Sequence, residues 1–152
     1  MNIKIIKAGI SYINDCEEAL VNSEIGKRYF SKEGSAKKHL EEGFSKKEIY
    51  VALEDNKCLG FVWVIENGIF HSFPYIHIIA VKEESRGKGI GKILLNFVEK
   101  VYFEKYSKLF LVVGDFNPQA KRLYEKLGYS LIGDIKDLYR DGITESLMMK
   151  IK

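Results

Sequence analysis

The sequence predicts an α/β sandwich built on a mixed, mostly antiparallel central sheet flanked by helices. Two observations carry this prediction: β-rich runs joined by turn signals fill the middle of the chain, and a long helical pattern then connects two short apolar strands. With 152 residues and 46% hydrophobic content, the chain has the size of one domain, and no repeat or linker-like stretch divides it. We therefore interpret residues 1–152 as a single domain.

The first half of the chain is predicted to form a strand, two helices and an antiparallel meander. Asp55-Asn56 joins the two β-rich runs of the meander, and Asn67-Gly68 is a second turn signal after them. The predicted elements are, in order, a strand at 2–8, helices at 11–22 and 35–43, and strands at 48–54 and 57–66.

The third β-rich run, residues 75–81, is apolar and β-branched on both faces, as expected of a central strand covered on both sides. Apolar residues then recur every three or four positions, which predicts a helix over residues 89–105. Residues 109–113 form a short buried strand. Because a helix connects these two strands, they are predicted to be parallel neighbours.

A last helix and a hairpin complete the predicted fold. Asn117 suits the N-cap of this helix, Pro118 its first turn, and Gly128 its end. The predicted apolar stripe of the helix consists of Ala120, Leu123 and Leu127. The segments YSLIGD and ITESLMMKI form the hairpin, which turns around residues 140–142.

Composition excludes several classes of protein. A formal net charge of +3 leaves no large basic field for nonspecific nucleic-acid binding. No apolar run reaches the roughly 18 residues of a membrane span, and the first residues lack a secretory pattern, so we expect a cytoplasmic protein. Cys16 and Cys58 form no CxxC pair and accompany only three histidines, which predicts no metal site and no disulfide framework. Each cysteine is interpreted as a small core residue.

The segment SRGKGIGK, residues 85–92, joins the central strand to the long helix and holds three glycines in five positions. The first N–H groups of a helix have no internal partner, and residues without side chains let an anion approach them. Arg86, Lys88 and Lys92 add positive charge, which suits a diphosphate. The alternative is a tight turn whose glycines serve only steric needs.

Two nucleotide-binding motifs fail on this segment. A GxxxxGK[ST] loop ending at Gly91-Lys92 needs a glycine at position 86 and a Ser or Thr at position 93, which hold Arg and Ile. A dinucleotide GxGxxG motif needs its third glycine at position 92 or 94, which hold Lys and Leu. These failures weaken the hypothesis of a nucleotide-dependent enzyme.

The segment RGKGIG at residues 86–91 resembles the acyl-CoA motif Gln/Arg-x-x-Gly-x-Gly/Ala of the GNAT family of N-acetyltransferases. Residues 117–129, NPQAKRLYEKLGY, resemble the second signature of that family, N-x-x-A-x-x-L-Y-x-x-x-G-[FY]. The resemblance implies the GNAT acyltransferase fold. It also implies an enzyme that transfers an acetyl group from acetyl-CoA, as co-substrate, to a primary amine of a small molecule, peptide or protein by direct attack in a ternary complex.

In proteins similar to this one, acetyl-CoA lies where two parallel strands splay apart, here the strands at 75–81 and 109–113. The pantetheine arm pairs with free backbone groups there, and a backbone N–H near Ile79 would stabilise the oxyanion. The resemblance also places Asn117 near the cofactor, although an N-cap role explains this residue fully. The implied cofactor-binding residues are Ile79, Ala80, Val81, Arg86, Gly87, Lys88, Gly89, Ile90, Gly91 and Asn117.

Tyr124 occupies the tyrosine position of the second signature, which implies that it donates a proton to the leaving thiolate. The alternative is an ordinary core aromatic. The acceptor amine must also lose a proton, and the central strand offers His77 but no carboxylate. His77 is therefore the predicted base, against the alternative of a satisfied core histidine. His71 and Glu48 are weaker candidates.

The sequence does not identify the acceptor itself. By analogy with similar proteins, the acceptor enters between residues 24–44 and 67–74. Four aromatic residues in these segments either line the entrance for an amine or belong to ordinary packing: Tyr29, Phe30, Phe70 and Phe73. The carboxylates of Glu24, Glu41 and Glu42 either attract a cation or belong to a solvated helix face.

We expect a small-molecule or peptide amine as partner, no nucleic acid and no membrane. A homodimer is one expected state, because dimers are common among similar folds. The competing function is a noncatalytic acyl-CoA-binding or regulatory module, which would retain residues 86–91 and would not depend on Tyr124.

Overall fold

The computed structural model describes residues 1–152, which form seven strands and five α-helices. The strands belong to one sheet in the order β1-β2-β3-β4-β5-β7-β6. Their bounds are β1 Lys4–Lys7, β2 Ile49–Glu54, β3 Lys57–Ile69, β4 Phe73–Val81, β5 Lys108–Gly114, β6 Ser130–Lys136 and β7 Thr144–Ile151. The helices are α1 Ile13–Val21, α2 Glu24–Tyr29, α3 Ser35–Ser45, α4 Ile90–Tyr102 and α5 Pro118–Lys126.

Strand pairing confirms a mixed, mostly antiparallel sheet. β1 with β2, β2 with β3, β5 with β7, and β6 with β7 are antiparallel. β4 and β5 are parallel, with Tyr75 opposite Phe110 and Ile76 opposite Leu111. These two strands are parallel because α4 returns the chain between them, as the sequence predicted.

The backbone forms two compact units. The first contains residues 1–64 and 78–100, and the second contains residues 65–77 and 101–152. The interpretation of the chain as a single domain therefore stays a prediction. None of the helices is long and apolar enough to cross a membrane.

In the core of the first unit, α1 packs on α3, and α3 lies against β2 and β3. Gly43 of α3 lies directly against Trp63, since a Cβ on Gly43 would come within 2.7 Å of the indole ring. The ring of His39, also on α3, stacks on the ring of Phe30 at a centroid distance of 5.2 Å and lies tilted against the indole of Trp63 at 4.9 Å. The fully buried side chains of this unit include Leu20, Leu40, Ile49, Val51, Phe61, Leu94 and Leu95.

The second unit is built on β5, β7 and β6, with α5 between β5 and β6 in the chain. Leu109 and Met148 are completely buried in it. The side-chain oxygen of Asn117 accepts a hydrogen bond from the N–H of Ala120 at 3.4 Å, which confirms the predicted N-cap of α5. Gly128 ends this helix with a φ of +97°, a conformation that glycine adopts without strain.

The prediction of a turn at Asn67-Gly68 is wrong. Both residues lie within β3, and the chain turns later, at Phe70 and His71, each with a φ of 54°. A Cβ on Gly68 would come within 2.8 Å of the Cβ of Tyr75, so this glycine allows a close approach to β4. A glycine inside a strand can mark such an approach as well as a turn.

The short helix α2 was not predicted. Its N-cap is Ser23, whose hydroxyl oxygen accepts a hydrogen bond from the N–H of Gly26 at 3.0 Å. A Cβ on Gly26 would collide with the carbonyl of Leu20, so glycine is required where α2 meets the end of α1. Six residues are too few for an apolar periodicity to emerge from the sequence.

Two predicted burial patterns differ from the structure. On α5, Ala120 and Leu127 are half-buried as predicted, but Leu123 is 39% exposed and Tyr124 is buried in its place. Along β4, alternate residues are buried and half-buried, and the half-buried face carries Tyr75, His77 and Ile79. The prediction that both faces of this strand are covered is therefore correct for one face only.

Candidate active site

The glycine-rich turn lies in the first unit, between a short 3₁₀ turn, Glu83–Ser85, and the start of α4. Gly87 and Gly89 have φ values of +76° and +81°. A Cβ at either position would meet no atom within 4 Å, so backbone conformation alone requires glycine there. The turn thus exposes backbone that no side chain shields.

Backbone N–H groups are available where this turn enters α4. The N–H of Ile93 donates to the carbonyl of Gly89 at 3.0 Å, so the amides of residues 90–92 precede the first hydrogen bond of the helical ladder. Gly91 also has open space around its Cβ position. Such a helix start favours an anion through its N–H groups and its dipole.

The side chain of Arg86 is held by backbone carbonyls. Its Nη2 donates to the carbonyl of Asn22 at 2.8 Å, and its Nε donates to the carbonyl of Val81 at 3.2 Å. Asn22 is the C-cap of α1, and Val81 ends β4. The guanidinium therefore links the ends of α1 and β4 next to the turn, a contact that the sequence did not predict.

The predicted pantetheine strand lies close to β3. A Cβ on Gly60 would come within 2.7 Å of the carbonyl oxygen of Ala80 and 3.0 Å of the Cα of Val81. Ala80 is buried, and Ile79 and Val81 are half-buried. The N–H of Lys82 donates to the carbonyl of Leu59 at 2.8 Å, so the end of β4 is fixed against β3.

Tyr124 lies on α5, in the second unit, and its side chain is buried. Burial raises the pKa of its phenol to about 12, because the charged phenolate is poorly solvated there. Its ring meets the ring of Tyr129 edge to face, with centroids 6.1 Å apart. The phenol is therefore neutral at physiological pH and keeps its proton available as a donor.

His77 lies on the half-buried face of β4, as the two-residue period predicted, and its Nδ1 is buried. The ring of Tyr75, two residues earlier, lies 5.8 Å from the ring of His77. The hydroxyl of Tyr75 is 2.9 Å from the hydroxyl of Tyr139, in the connection between β6 and β7. Sequence reasoning missed this tyrosine pair, because no local pattern joins residues so far apart in the chain.

Glu48 and His71, the two weaker candidates for the base, lie in surroundings that differ from those of His77. An oxygen of Glu48 accepts a hydrogen bond from the indole N–H of Trp63 at 3.1 Å, which gives this carboxylate a structural partner. His71 is exposed in the turn between β3 and β4. His77 is the histidine that the central strand carries, and its catalytic role stays a prediction.

The aromatic residues predicted near the acceptor make packing contacts. Phe30 stacks on His39 in the first unit. In the second unit, Phe70 and Phe73 both lie against Phe110, at 6.0 and 5.8 Å between centroids, although Phe70 remains 69% exposed.

Two of the three predicted acceptor carboxylates form exposed pairs with lysines three or four residues further along the chain. Glu24 lies 3.7 Å from Lys27, and Glu42 lies 2.8 Å from Lys46. These contacts favour the interpretation of a solvated helix face.

A cavity of about 590 Å³ lies in the first unit, between α1 and the segment that contains α2. Part of its wall belongs to residues 24–44, where the acceptor was predicted. Its charged and aromatic lining residues include Glu17, Glu18, Glu33, Lys27, Lys32 and Phe30.

Comparison with known proteins identifies the family. The acetyltransferase (GNAT) family model matches residues 17–129. A protein of Methanocaldococcus jannaschii named an N-acetyltransferase is 34% identical over 68% of this chain, and this match covers 65% of that protein, slightly less than two thirds of its length. An N-alpha-acetyltransferase of Saccharolobus solfataricus is 32% identical, over 66% of this chain and 67% of its own.

A solved structure shares the whole fold. The PaiA N-acetyltransferase from Thermoplasma acidophilum, in complex with coenzyme A, superimposes with a TM-score of 0.73 over 100% of both chains, at 23% identity. Together with the family match over the acyl-CoA motif and the second signature, this likeness confirms the resemblance inferred from the sequence. The chain belongs to the GNAT family of acetyltransferases.

Proposed function

We propose that this chain is an acetyl-CoA-dependent N-acetyltransferase that acts on a primary amine of a small molecule or peptide. The observation that carries the proposal is the glycine turn, in which two glycines with positive φ expose the first amides of α4 directly after the central strand. In a member of the GNAT family, this turn is suited to hold the pyrophosphate of coenzyme A.

The proposed reaction begins when a neutral amine attacks the thioester carbonyl. An alkylamine with a pKa near 10.4 is only about one part in a thousand neutral at physiological pH, so a base must accept its proton. We assign this role to His77, directly or through water. The C–N bond forms, and the negative charge on the carbonyl oxygen is stabilised by a backbone N–H near Ile79.

The C–S bond then breaks, and the sulfur leaves as a thiolate that needs a proton. Tyr124 is the proposed donor, because its raised pKa of about 12 keeps the phenol protonated over the whole physiological range. The products are an amide and the free thiol of coenzyme A. The protonated His77 returns its proton to solvent and the phenolate of Tyr124 takes one proton back from solvent, so both residues are restored.

The proposed acceptor class is supported by one relative and by the cavity in the first unit. One relative is named an N-alpha-acetyltransferase. The lining of the cavity carries three carboxylates, those of Glu17, Glu18 and Glu33, against two ammonium groups, those of Lys27 and Lys32, so negative charge is in excess. The carboxylates are suited to attract a cationic amine before it loses its proton. Replacing Glu33 by Gln is expected to raise KM for the amine and to leave KM for acetyl-CoA unchanged.

A thermal-shift series tests the donor. Dialysed protein is heated with acetyl-CoA, ATP and NAD in separate wells, and only acetyl-CoA is expected to raise Tm. At a hundredfold excess over Kd, a ligand adds about 2.7 kcal/mol to the free energy of unfolding, which is a rise of several degrees for a domain of this size. An equal rise with ATP would contradict the assignment of the glycine turn.

An amine panel then distinguishes the enzyme from a binding module. Transfer is followed as loss of the thioester with small amines and with peptides that have free N-termini. Binding of acetyl-CoA without transfer to any amine would favour a noncatalytic acyl-CoA-binding module.

The role of His77 has its own test. We expect His77→Ala to change the shape of the pH–rate profile, and His71→Ala, in the exposed turn, to leave it unchanged. A His77→Ala profile that overlays that of the unchanged protein would remove His77 from the mechanism.

A further inference from the structure

Two cationic side chains join the end of β4 and the turn after it to α1, within the first unit. The ammonium of Lys82 lies 2.6 Å from the carboxylate of Asp15 and 3.7 Å from that of Glu18. Arg86 reaches the end of the same helix, where its Nη2 donates to the carbonyl of Asn22 at 2.8 Å. Both cations follow the predicted pantetheine strand within five residues. This segment is therefore fixed to α1 at two levels of the helix.

The C-terminal end of α1 presents carbonyl groups that the helix itself does not pair. The carbonyl of Glu18 accepts hydrogen bonds from the backbone N–H and the side-chain amide of Asn22. That of Leu20 accepts one from the hydroxyl of Ser23. The carbonyl of Asn22, the C-cap, accepts from Arg86. A cation at this end of a helix also interacts favourably with the helix dipole, so Arg86 completes the cap of α1.

The same guanidinium also bonds the end of β4, since its Nε donates to the carbonyl of Val81 at 3.2 Å. An arginine that binds a phosphate or carboxylate at two points uses a pair of neighbouring N–H groups for this purpose. In Arg86 the pair formed by Nε and Nη2 is already bonded to two backbone carbonyls. The geometry therefore favours a structural use of this side chain over a two-point contact of that pair with pyrophosphate.

Other groups of the turn are suited to the pyrophosphate. The amides of residues 90–92 precede the first hydrogen bond of the helical ladder of α4, and the space beside Gly87 and Gly89 is open. The side chains of Lys88 and Lys92 are exposed. A lysine binds a phosphate as a point charge, without the fixed geometry of an arginine. These groups can hold the anion while Arg86 keeps both of its carbonyl contacts.

We propose that Arg86 is a positioning residue, whose guanidinium holds the glycine turn and the end of β4 against the C-terminal end of α1. The inference rests on the proposed function in one respect, because it takes residues 79–81 as the segment that holds the thioester and stabilises the oxyanion. Since Val81 is bonded directly, loss of the guanidinium shifts this segment relative to the turn. Turnover then falls even when the donor is saturating. This role differs from the cofactor contact that the family motif implied for Arg86.

Hydrogen–deuterium exchange of the full-length protein without ligand tests the contact itself. Arg86→Lys and Arg86→Met are compared with Lys88→Met, which removes a cation from the same turn. Both Arg86 variants are expected to exchange about threefold faster or more over residues 22–26 and 82–86, because one ammonium cannot replace the two-point contact. Lys88→Met should leave residues 22–26 unchanged. Unchanged exchange there in both Arg86 variants, or an equal acceleration in β2, would overturn the proposal.

Kinetics with two donors separate positioning from phosphate binding. S-Acetylpantetheine carries the thioester and lacks the pyrophosphate, whereas acetyl-CoA carries both. Arg86→Lys keeps a positive charge, so attraction to a phosphate would largely survive in it. Both Arg86 variants are expected to lower kcat with acetyl-CoA by about tenfold, and to lower kcat/KM with S-acetylpantetheine by a similar factor. Lys88→Met is expected to raise KM for acetyl-CoA and to affect S-acetylpantetheine much less.

Two kinetic results would also overturn the proposal, because each identifies the guanidinium as a phosphate ligand. One is a raised KM for acetyl-CoA with unchanged kcat in Arg86→Met, and the other is an effect of both Arg86 variants that is confined to acetyl-CoA. The exchange measurement needs no acetyl transfer. Absence of transfer to any amine would therefore contradict the proposed function alone, and the exchange result would still decide this inference.

Discussion

Replacing Tyr124 by Phe tests the mechanism at its most specific point. The substitution keeps the buried ring and its edge-to-face contact with Tyr129, and removes only the hydroxyl. The free energy of unfolding is therefore expected to change by no more than about 1 kcal/mol. Affinity for acetyl-CoA should persist, because the residues proposed to bind the pyrophosphate lie in the glycine turn.

The size of the kinetic effect follows from the raised pKa. With a pKa of about 12, Tyr124 is a weaker acid than the thiol of coenzyme A, whose pKa is near 8.5. Complete transfer to a solvated thiolate would be uphill by about 5 kcal/mol, so the proton moves only while the C–S bond breaks. We therefore expect an effect at or below the lower end of the typical range for acid catalysis: a fall in kcat of about tenfold to a hundredfold, or about 1.4 to 2.7 kcal/mol.

The assay measures kcat and KM for acetyl-CoA between pH 7 and 10, with Tyr129→Phe as the matched loss of a neighbouring buried hydroxyl. An ordinary tyrosine would be half ionised at about pH 10, whereas Tyr124 remains about 99% protonated there. Ionisation of Tyr124 should therefore cause no fall in the activity of the unsubstituted protein below pH 10. Unchanged turnover in Tyr124→Phe, or an equal fall in Tyr129→Phe, would refute the assignment.

Three further predictions concern the turn, alkaline stability and an ion pair. Gly89→Ala and Gly142→Ala both force a side chain into positive φ, at +81° and +84°, in open space. Each should lose about 1 kcal/mol of stability in thermal unfolding, and only Gly89→Ala should weaken acetyl-CoA binding in a titration. Between pH 10 and 12, Tyr124 releases its proton in the unfolded chain and retains it in the folded protein. The free energy of unfolding should therefore fall by about 1.4 kcal/mol per pH unit in denaturant titrations. In Tyr124→Phe this contribution should be missing. Asp15→Asn removes the carboxylate 2.6 Å from the largely buried Lys82 and should lower Tm by about 2 to 4 °C in low salt. A Tm difference from the unsubstituted protein that grows with added salt would argue against a charge effect.

Local sequence patterns predicted most of the elements because their causes are local. Asn117 and Gly128 bound α5 as expected, since an N-cap bond and a left-handed C-terminal residue depend on neighbours within one helical turn. The turn before α4 was recognisable for the same reason. The positive φ angles of this turn require glycine, and the glycines are visible in the sequence.

Errors arose where a residue serves a distant neighbour. Gly68 was interpreted as a turn residue, although it allows Tyr75 to approach β3. Leu123 was predicted to face the core of its unit, a position that Tyr124 occupies. Neither outcome is encoded in the spacing of residues along one element, because each depends on which surface packs against it.

The sequence by itself determined the order of strands and helices, the glycine turn and the identity of the family, since all three rest on short-range patterns. Only the tertiary structure decided how these residues are used. It assigns the guanidinium of Arg86 to the carbonyls of Asn22 and Val81, and it places the hydroxyl of Tyr75 2.9 Å from that of Tyr139. Hydrogen bonds and burial act through space, and residues that are far apart in the chain become neighbours only when the backbone has folded.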